Sequence, residues 1–220
     1  NKILMFFISS LLIIQLGVEE FGIYSYLLLI SNMAAMFALF GYPQLVTRQA
    51  SIYIEKSEYS LLSGLWWFSF IGISFGLVVV LPIIFWLLTS GLIKLPLNLK
   101  LLVILLLNII AIVFFSLCQA WLRGVGKAKL TILWAMVITP LINIFVLAFY
   151  FNFGVDIDAS YALIAYLCSI LLVTTFIFLA IQKHSSNLLV TQRKDFDLMG
   201  WAKSLIPFFF IGGVNLLMQR

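Results

Sequence analysis

Two long apolar runs, residues 101–120 and 130–151, flank a short stretch, 121–129, that contains three cations and no acid. Each run is long enough to cross a bilayer, because about 20 helical residues span roughly 30 Å of hydrocarbon. Short connections rich in Lys and Arg stay on the cytoplasmic side of a membrane. The stretch 121–129 therefore predicts an orientation for the chain, and every other connection tests it.

The composition excludes a soluble domain. Hydrophobic residues make up 64% of the chain and charged residues 10%, whereas soluble domains are about 25% charged. The net charge of +5 is spread over the connections between apolar runs, so it predicts no nucleic-acid partner. Cys118 and Cys168 both lie inside apolar runs, as expected of buried thiols and not of a disulfide or a metal site.

The apolar runs predict an all-α polytopic membrane protein with about seven transmembrane helices. The expected helices cover residues 3–16, 23–40, 61–88, 101–122, 130–153 and 161–182, and a last one starts near 202. A tight hairpin is expected over 17–22, and Pro43 ends the second helix because proline removes a backbone donor. Residues 44–59 mix apolar and charged side chains, which predicts an amphipathic helix at the membrane surface.

Lys and Arg alternate between the two sides of this seven-helix order. Even-numbered connections contain Arg48, Lys56, Arg123, Lys127, Lys129, Lys183, Arg193, Lys194 and Lys203, against Lys94 and Lys100 in odd-numbered ones. This asymmetry predicts a cytoplasmic amino terminus. Arg123, Lys127 and Lys129 are accordingly interpreted as topology determinants and contacts to lipid headgroups.

The two ends of the chain suggest a piece of a longer protein. The chain begins with Asn1, its first apolar run is too short to span, and its last run stops abruptly at Arg220. We therefore expect a truncated first helix and a truncated seventh helix.

Four short motifs carry a resemblance to a known family. They are LGVEEFGIY at 16–24, GYPQLVTRQA at 41–50, RGVGK at 123–127 and NLLMQR at 215–220. In this order they resemble bacterial polysaccharide flippases, the O-antigen or capsule exporters of the multidrug/oligosaccharidyl-lipid/polysaccharide superfamily, which is MATE-like in fold. The resemblance covers nearly the whole chain.

The resemblance implies a two-lobed transporter. Residues 1–182 would be the first six-helix lobe, 183–203 a cytoplasmic linker and 204–220 the start of the second lobe. The implied activity is movement of undecaprenyl-diphosphate-linked oligosaccharide across the bacterial cytoplasmic (inner) membrane by alternating access. Membrane lipids, a glycan polymerase and a chain-length regulator are the implied partners. No cofactor is expected, and coupling to H⁺ or Na⁺ is left open.

Positive charge inside the membrane marks the first candidate site residues. All Asp and Glu lie outside the predicted spans, whereas Arg220 ends an apolar run. An Arg at the bilayer centre costs about 2.5–3.5 kcal/mol, so it faces a cavity or a partner. A diphosphate suits Arg because the guanidinium pairs bidentately with phosphate oxygens, although an acid is the alternative partner. Arg48 is the second candidate, with anchoring at lipid headgroups as its alternative.

Polar amides within the predicted spans complete the candidate site. They are Asn32, Asn108, Gln119, Asn143, Asn215 and Gln219, and they either bind sugar hydroxyls or join helices to one another. Asn32, Asn143, Asn215 and Gln219, together with Gln44, are the predicted substrate-binding residues beside the two arginines. The single His has no ligand cluster, so no metal site is predicted.

Other functional classes fit less well. A drug or cation antiporter of the same fold should hold buried carboxylates, which the predicted spans lack. A membrane-embedded glycosyltransferase or polymerase needs catalytic acids and usually a sizeable external loop, and the sequence shows neither. No nucleophile–base pair and no catalytic carboxylate pair is present, so an enzyme is not predicted. A purely structural membrane subunit stays open as a weaker alternative, because the amides and Arg220 favour a transporter.

Overall fold

The computed structural model describes residues 2–90, 98–152, 158–189 and 195–218. They form α1 Lys2–Leu39, α2 Tyr42–Glu55, α3 Tyr59–Thr89, α4 Leu99–Gly124, α5 Ala128–Leu133, a π-helical segment Trp134–Ile138, α6 Thr139–Asn152, α7 Ala159–Leu189 and α8 Leu198–Met218. Five stretches of the described chain are long and apolar enough to cross a membrane: Leu12–Leu39, Tyr59–Thr89, Leu99–Gly124, Ala128–Tyr150 and Ala159–Gln182. The prediction of an all-α polytopic membrane protein is confirmed.

The end of the chain departs from the predicted helix boundaries. Helix α7 continues to Leu189, and α8 starts at Leu198, earlier than expected. Both ends of the predicted linker 183–203 are therefore helical. Within the described residues α8 contributes a shorter apolar stretch, Leu198–Phe210, and the total of seven spans and the lobe boundaries stay predictions.

Helix α1 is interrupted at Gly17, whose backbone dihedrals (φ 76°, ψ 168°) lie far from helical values. This region of backbone conformation is essentially restricted to glycine. The predicted break between the first two helices is confirmed, but the hairpin over 17–22 was wrong in extent, because residues 18–22 are helical. Glu19 and Glu20 thereby fall in the first turn after the break, where a helix N terminus stabilises acidic side chains.

Helix α2 follows Gly41, which has a left-handed conformation (φ 80°), and carries a proline in its first turn. Proline is tolerated there because first-turn N–H groups have no helical partner. The apolar face of α2 is buried and consists of Tyr42, Leu45, Val46, Ala50 and Tyr53. The predicted amphipathic helix is confirmed, but the structure corrects what covers its apolar face. Helices α3, α4 and α8 cover it, and not membrane lipid.

Helix α4 forms the centre of the packing, with α1, α2 and α7 against it. Asn108 is fully buried on this helix. Its Nδ2 donates to the carbonyl of Ile104 (3.1 Å) and, across the interface, to that of Leu163 in α7 (3.4 Å). Bonds of this kind between transmembrane helices are worth roughly 0.6 kcal/mol. Of the two roles open to Asn108, the structure shows the joining of helices.

A π-helical turn interrupts the helical run between α5 and α6, over Trp134–Ile138. Pro140 follows this turn and lacks the N–H that would bond the carbonyl four residues earlier. Thr139 closes the π-helical turn, because its backbone N–H and its Oγ1 (2.9 Å) both donate to the carbonyl of Trp134. Such π-bulges occur frequently at functional sites.

The first turns of α8 are fixed to α2 and α3. Trp201 is fully buried and donates from Nε1 to the hydroxyl of Tyr53 at 2.7 Å. Its ring centroid lies 5.1 Å from that of Phe68 in α3. Just before α8, the backbone N–H of Asp195 donates to the carbonyl of Ser60 (3.3 Å). These contacts hold the start of α8 against the end of the bundle where α2 lies.

The contact between Tyr53 and Trp201 should be sensitive to alkaline pH. Burial raises the pKa of the Tyr53 hydroxyl above its usual 10.0. The hydrogen bond from Trp201 lowers this pKa, whereas the negative charges of Asp197 and Glu58 raise it further. Because the folded state favours the neutral hydroxyl, its contribution to stability is complete below pH 10.0 and is lost as the pH rises further. We expect the thermal unfolding midpoint of detergent-purified protein to fall more steeply between about pH 9 and about pH 11 than that of Tyr53→Phe. Equal slopes for the two proteins would contradict this assignment.

Candidate functional site

A cavity of about 370 Å³ lies between α1, α4, the π-helical segment, α6 and α7. Its volume is at the lower end of the range of about 300–1,000 Å³ typical of small-molecule sites. The lining consists of Ser9, Leu12, Phe21, Tyr24, Ser25, Leu28, Asn32, Phe115, Ala135, Thr139, Pro140, Asn143, Tyr166 and Ile170. A mostly apolar wall with a few convergent polar groups is the usual composition of a binding pocket.

The polar part of this lining is electrically neutral. It consists of hydroxyl groups and two amides, and none of the described lining residues is ionised at neutral pH. Asn143 is 4% exposed, and its side chain lies beside the hydroxyl of Tyr24. Among the described residues, the amide oxygen Oδ1 of Asn143 has no hydrogen-bond partner. Leaving a buried polar atom unpaired costs about 1–3 kcal/mol, so Asn143 can accept a hydrogen bond at a gain.

Helical spacing places these groups on common faces. Tyr24, Leu28 and Asn32 follow one another at intervals of four residues on α1, and Thr139 and Asn143 do so on α6. Residues four apart lie one above the other on the same face of a helix. The break at Gly17 lets both arms of α1 contribute to the cavity, since Leu12 lies before it and Tyr24 after it.

The structure brings two of the predicted substrate-binding residues together. Asn32 of α1 and Asn143 of α6 line the same cavity, although more than a hundred residues separate them in sequence. Asn32 also donates from Nδ2 to the carbonyl of Leu28 at 2.8 Å. Gln44 and Arg48 lie on α2, which does not contribute to the lining.

Arg48 lies on the exposed side of α2. Its guanidinium carbon is 5.9 Å from the ring centroid of Phe208 in α8, a cation–π distance worth about 0.5–1 kcal/mol at an exposed site. In the part of the chain that the structure describes, Arg48 forms no ion pair with an acidic side chain. Its charge is therefore not neutralised by a described neighbour.

One end of the bundle collects the connections predicted to be poor in cations. Glu20, Asn98, Lys100 and Asp158 line a common surface pocket there. A carboxylate oxygen of Glu20 accepts a hydrogen bond from the backbone N–H of Ala159 at 2.9 Å, which satisfies an N–H in the first turn of α7. Among the cations that the structure describes, Lys100 lies at this end.

The opposite end holds α2, the turn after α4 and the start of α8. A side chain at Gly124 would meet Ala50 and the carbonyl of Val46, so the end of α4 lies directly against α2. Described cations at this end are Arg48, Lys56, Arg123, Lys127, Lys129 and Lys203. The arrangement matches the charge alternation predicted from the sequence. The roles of Arg123, Lys127 and Lys129 as topology determinants stay predictions.

A family model described as polysaccharide biosynthesis protein matches residues 1–204. The chain belongs to that family. Its motif-based resemblance to polysaccharide flippases is confirmed at the level of the family, and the chain is a membrane protein of polysaccharide biosynthesis. The search of curated proteins and the comparison with solved structures returned no match.

Several predicted site residues of this polysaccharide biosynthesis protein lie beyond what the structure tests. The side chain of Asn215, and Gln219 and Arg220 altogether, lie outside the described residues. Substrate binding by them, and by Gln44, Arg48, Asn32 and Asn143, stays a prediction.

Five polar cavity residues were not predicted from the sequence: Ser9, Tyr24, Ser25, Thr139 and Tyr166. A signal for two of them was present. Tyr24 lies two helical turns before Asn32, and Thr139 lies one turn before Asn143, so each shares a face with a predicted residue. Tyr166 had no such signal, because only the packing of α7 against α4 and α6 brings it to the cavity.

Proposed function

We propose that the protein is part of a flippase that carries undecaprenyl-diphosphate-linked oligosaccharide from the cytoplasmic to the outer leaflet of the bacterial cytoplasmic membrane. Family membership supports a role in polysaccharide biosynthesis. The observation that carries the proposal is the neutral lining of the cavity, which offers hydroxyl and amide groups among apolar walls. Such groups both donate and accept hydrogen bonds, as sugar hydroxyls require.

The cationic end supports an entry point for the diphosphate. Lys- and Arg-rich connections face the cytoplasm, so this end is the cytoplasmic one in the proposal. Arg48 lies there with an exposed guanidinium and no described acidic partner. A guanidinium pairs bidentately with phosphate oxygens, and such charge-assisted bonds are about twice as strong as neutral ones. The diphosphate would first meet Arg48, and the lobes would then alternate in their access to the two sides.

A cation antiporter is the competing function, and the cavity gives it no support. Ionisable side chains within membrane spans mark the pathways of ions and protons, and the described lining contains no Asp or Glu. The full-length protein should therefore not extrude a fluorescent cationic dye from cells. Dye extrusion without glycan export would favour the antiporter.

Replacement of Arg48 by Gln should reduce glycan export about tenfold or more, because a hydrogen bond to a charged group is worth about 1.5–3 kcal/mol. The measurement is surface glycan in cells that lack their own flippase and express the full-length protein at matched levels. Arg220→Gln should have a comparable effect in the same assay.

Lys56→Gln is the matched control, since it removes one cation directly after the same helix. We expect it to leave export unchanged. Undiminished export in Arg48→Gln, at equal protein levels, would remove Arg48 from the proposed diphosphate site. An equal loss in both variants would indicate a general effect of positive charge at this end.

A further inference from the structure

We infer that Asn143, Tyr24 and Tyr166 form a subsite for a single sugar ring of the cargo, held among the helices of the first lobe. This inference rests on the proposed function and adds the chemistry and the size of what the cavity holds. The three side chains come from α6, α1 and α7, and all three line the same cavity.

The unpaired oxygen of Asn143 is the first observation. Asn143 is 4% exposed, and its Oδ1 has no hydrogen-bond partner in the described chain. An unpaired buried polar atom of this kind costs free energy until an ordered water or a ligand satisfies it. Because Oδ1 has less than 1 Å² of accessible surface, a ligand hydroxyl would reach it only when the amide rotates towards the cavity. The neighbouring Tyr24 hydroxyl can serve the same ligand as donor or acceptor.

The aromatic walls are the second observation. Phe21 and Tyr24 of α1, Phe115 of α4 and Tyr166 of α7 border the cavity. A sugar ring presents hydroxyls at its edge and C–H groups on its faces. Rings with an apolar face and a polar tip, such as those of Tyr24 and Tyr166, match both parts of that surface.

The volume and the charge of the cavity further restrict the class of ligand that it can bind. About 370 Å³ suits a small ligand and not a whole oligosaccharide. A diphosphate would remain unneutralised in this lining, because the described lining residues include no cation. The subsite is therefore specific for a neutral sugar ring, and the diphosphate must bind elsewhere.

The test compares two probes on the full-length protein in detergent: undecaprenyl diphosphate without sugar, and undecaprenyl diphosphate carrying one N-acetylhexosamine or one neutral hexose. Wild-type protein should bind at least one of the sugar-bearing lipids about tenfold more tightly than the bare lipid. Asn143→Leu should abolish that preference and leave the affinity for the bare lipid unchanged. The readout is the dissociation constant by native mass spectrometry, with thermal unfolding of each unliganded variant.

Asn108→Leu is the matched control. Asn108 is also a buried amide whose Oδ1 has no partner among the described residues. It does not line the cavity, so its variant should keep the sugar preference. If Asn143→Leu does not fold, Tyr166→Phe decides, because it removes one hydroxyl and keeps the ring; it should weaken the preference severalfold.

The outcomes separate the two proposals. A preserved sugar preference in folded Asn143→Leu, or in Tyr166→Phe, overturns the subsite and leaves the flippase standing. Wild-type binding that is equal for bare and sugar-bearing lipids overturns the subsite as well. If wild-type protein binds neither lipid and exports no glycan, the proposed function fails and the subsite fails with it.

Discussion

Gly41→Ala should lower the thermal unfolding midpoint markedly and reduce the yield of folded protein in a detergent extract. Gly41 has a φ of 80°, which costs an L-residue about 1–2 kcal/mol. An added Cβ would also lie 2.7 Å from the backbone nitrogen of Phe209 and 3.0 Å from the carbonyl oxygen of Leu205. Backbone atoms cannot move aside as a side chain can, so overpacking adds about 1–3 kcal/mol. The sum of about 2–5 kcal/mol is a large part of typical stabilities of about 5–15 kcal/mol.

The measurement is the monodisperse fraction after purification, together with the thermal unfolding midpoint. Gly126→Ala is the matched control, because Gly126 has a similar φ of 81° and nothing within 4 Å of an added Cβ. Its free energy of unfolding should fall only by the conformational cost of about 1–2 kcal/mol. If both variants lose the same amount, α8 does not approach Gly41 as closely as the structure shows.

Trp201→Ala should cost about 3–5 kcal/mol, the usual penalty for truncating a large buried aromatic side chain. Trp201 is fully buried and packs against Phe68 and Phe196. Its loss also leaves the buried hydroxyl of Tyr53 without its donor. We expect the start of α8 to separate from α2, which limited proteolysis before α8 would detect together with a lower unfolding midpoint.

Two further variants separate packing from hydrogen bonding. Trp201→Phe keeps an aromatic ring but removes the hydrogen bond, and its free energy of unfolding should fall by about 1–2 kcal/mol. Trp86→Ala, at a tryptophan that is 62% exposed, should change the midpoint little. Equal effects of Trp201→Ala and Trp86→Ala would show that the contact of α8 with α2 contributes nothing to stability.

The candidate cavity illustrates how far sequence reasoning reaches. Asn32 and Asn143 were identified because polar amides within apolar runs are uncommon, and each then needs a partner. Their meeting in one cavity depends on the break at Gly17 and on the packing of α1 and α6 against α7. Asn108 shows the opposite outcome, since an equally conspicuous amide joins α4 to α7 and does not reach the cavity.

Two predictions made from local sequence were wrong, each for a physical reason. A tight hairpin was expected over 17–22, but Gly17 alone makes the break, in a backbone conformation that other residues rarely adopt. The apolar face of α2 suggested contact with lipid, because apolar periodicity does not state what covers a face. Helices α3, α4 and α8 cover it, and the hydrogen bond between Tyr53 and Trp201 joins residues far apart in sequence.

The sequence by itself determined the class of the molecule, the helical runs and the two-ended distribution of charge. Each of these follows from local composition, since a bilayer demands apolar helices of sufficient length and keeps cations at one side. Only the tertiary structure decided which polar groups share a cavity and which join helices. That outcome depends on interfaces between distant segments, where the rotation of each helix about its axis selects the side chains that meet.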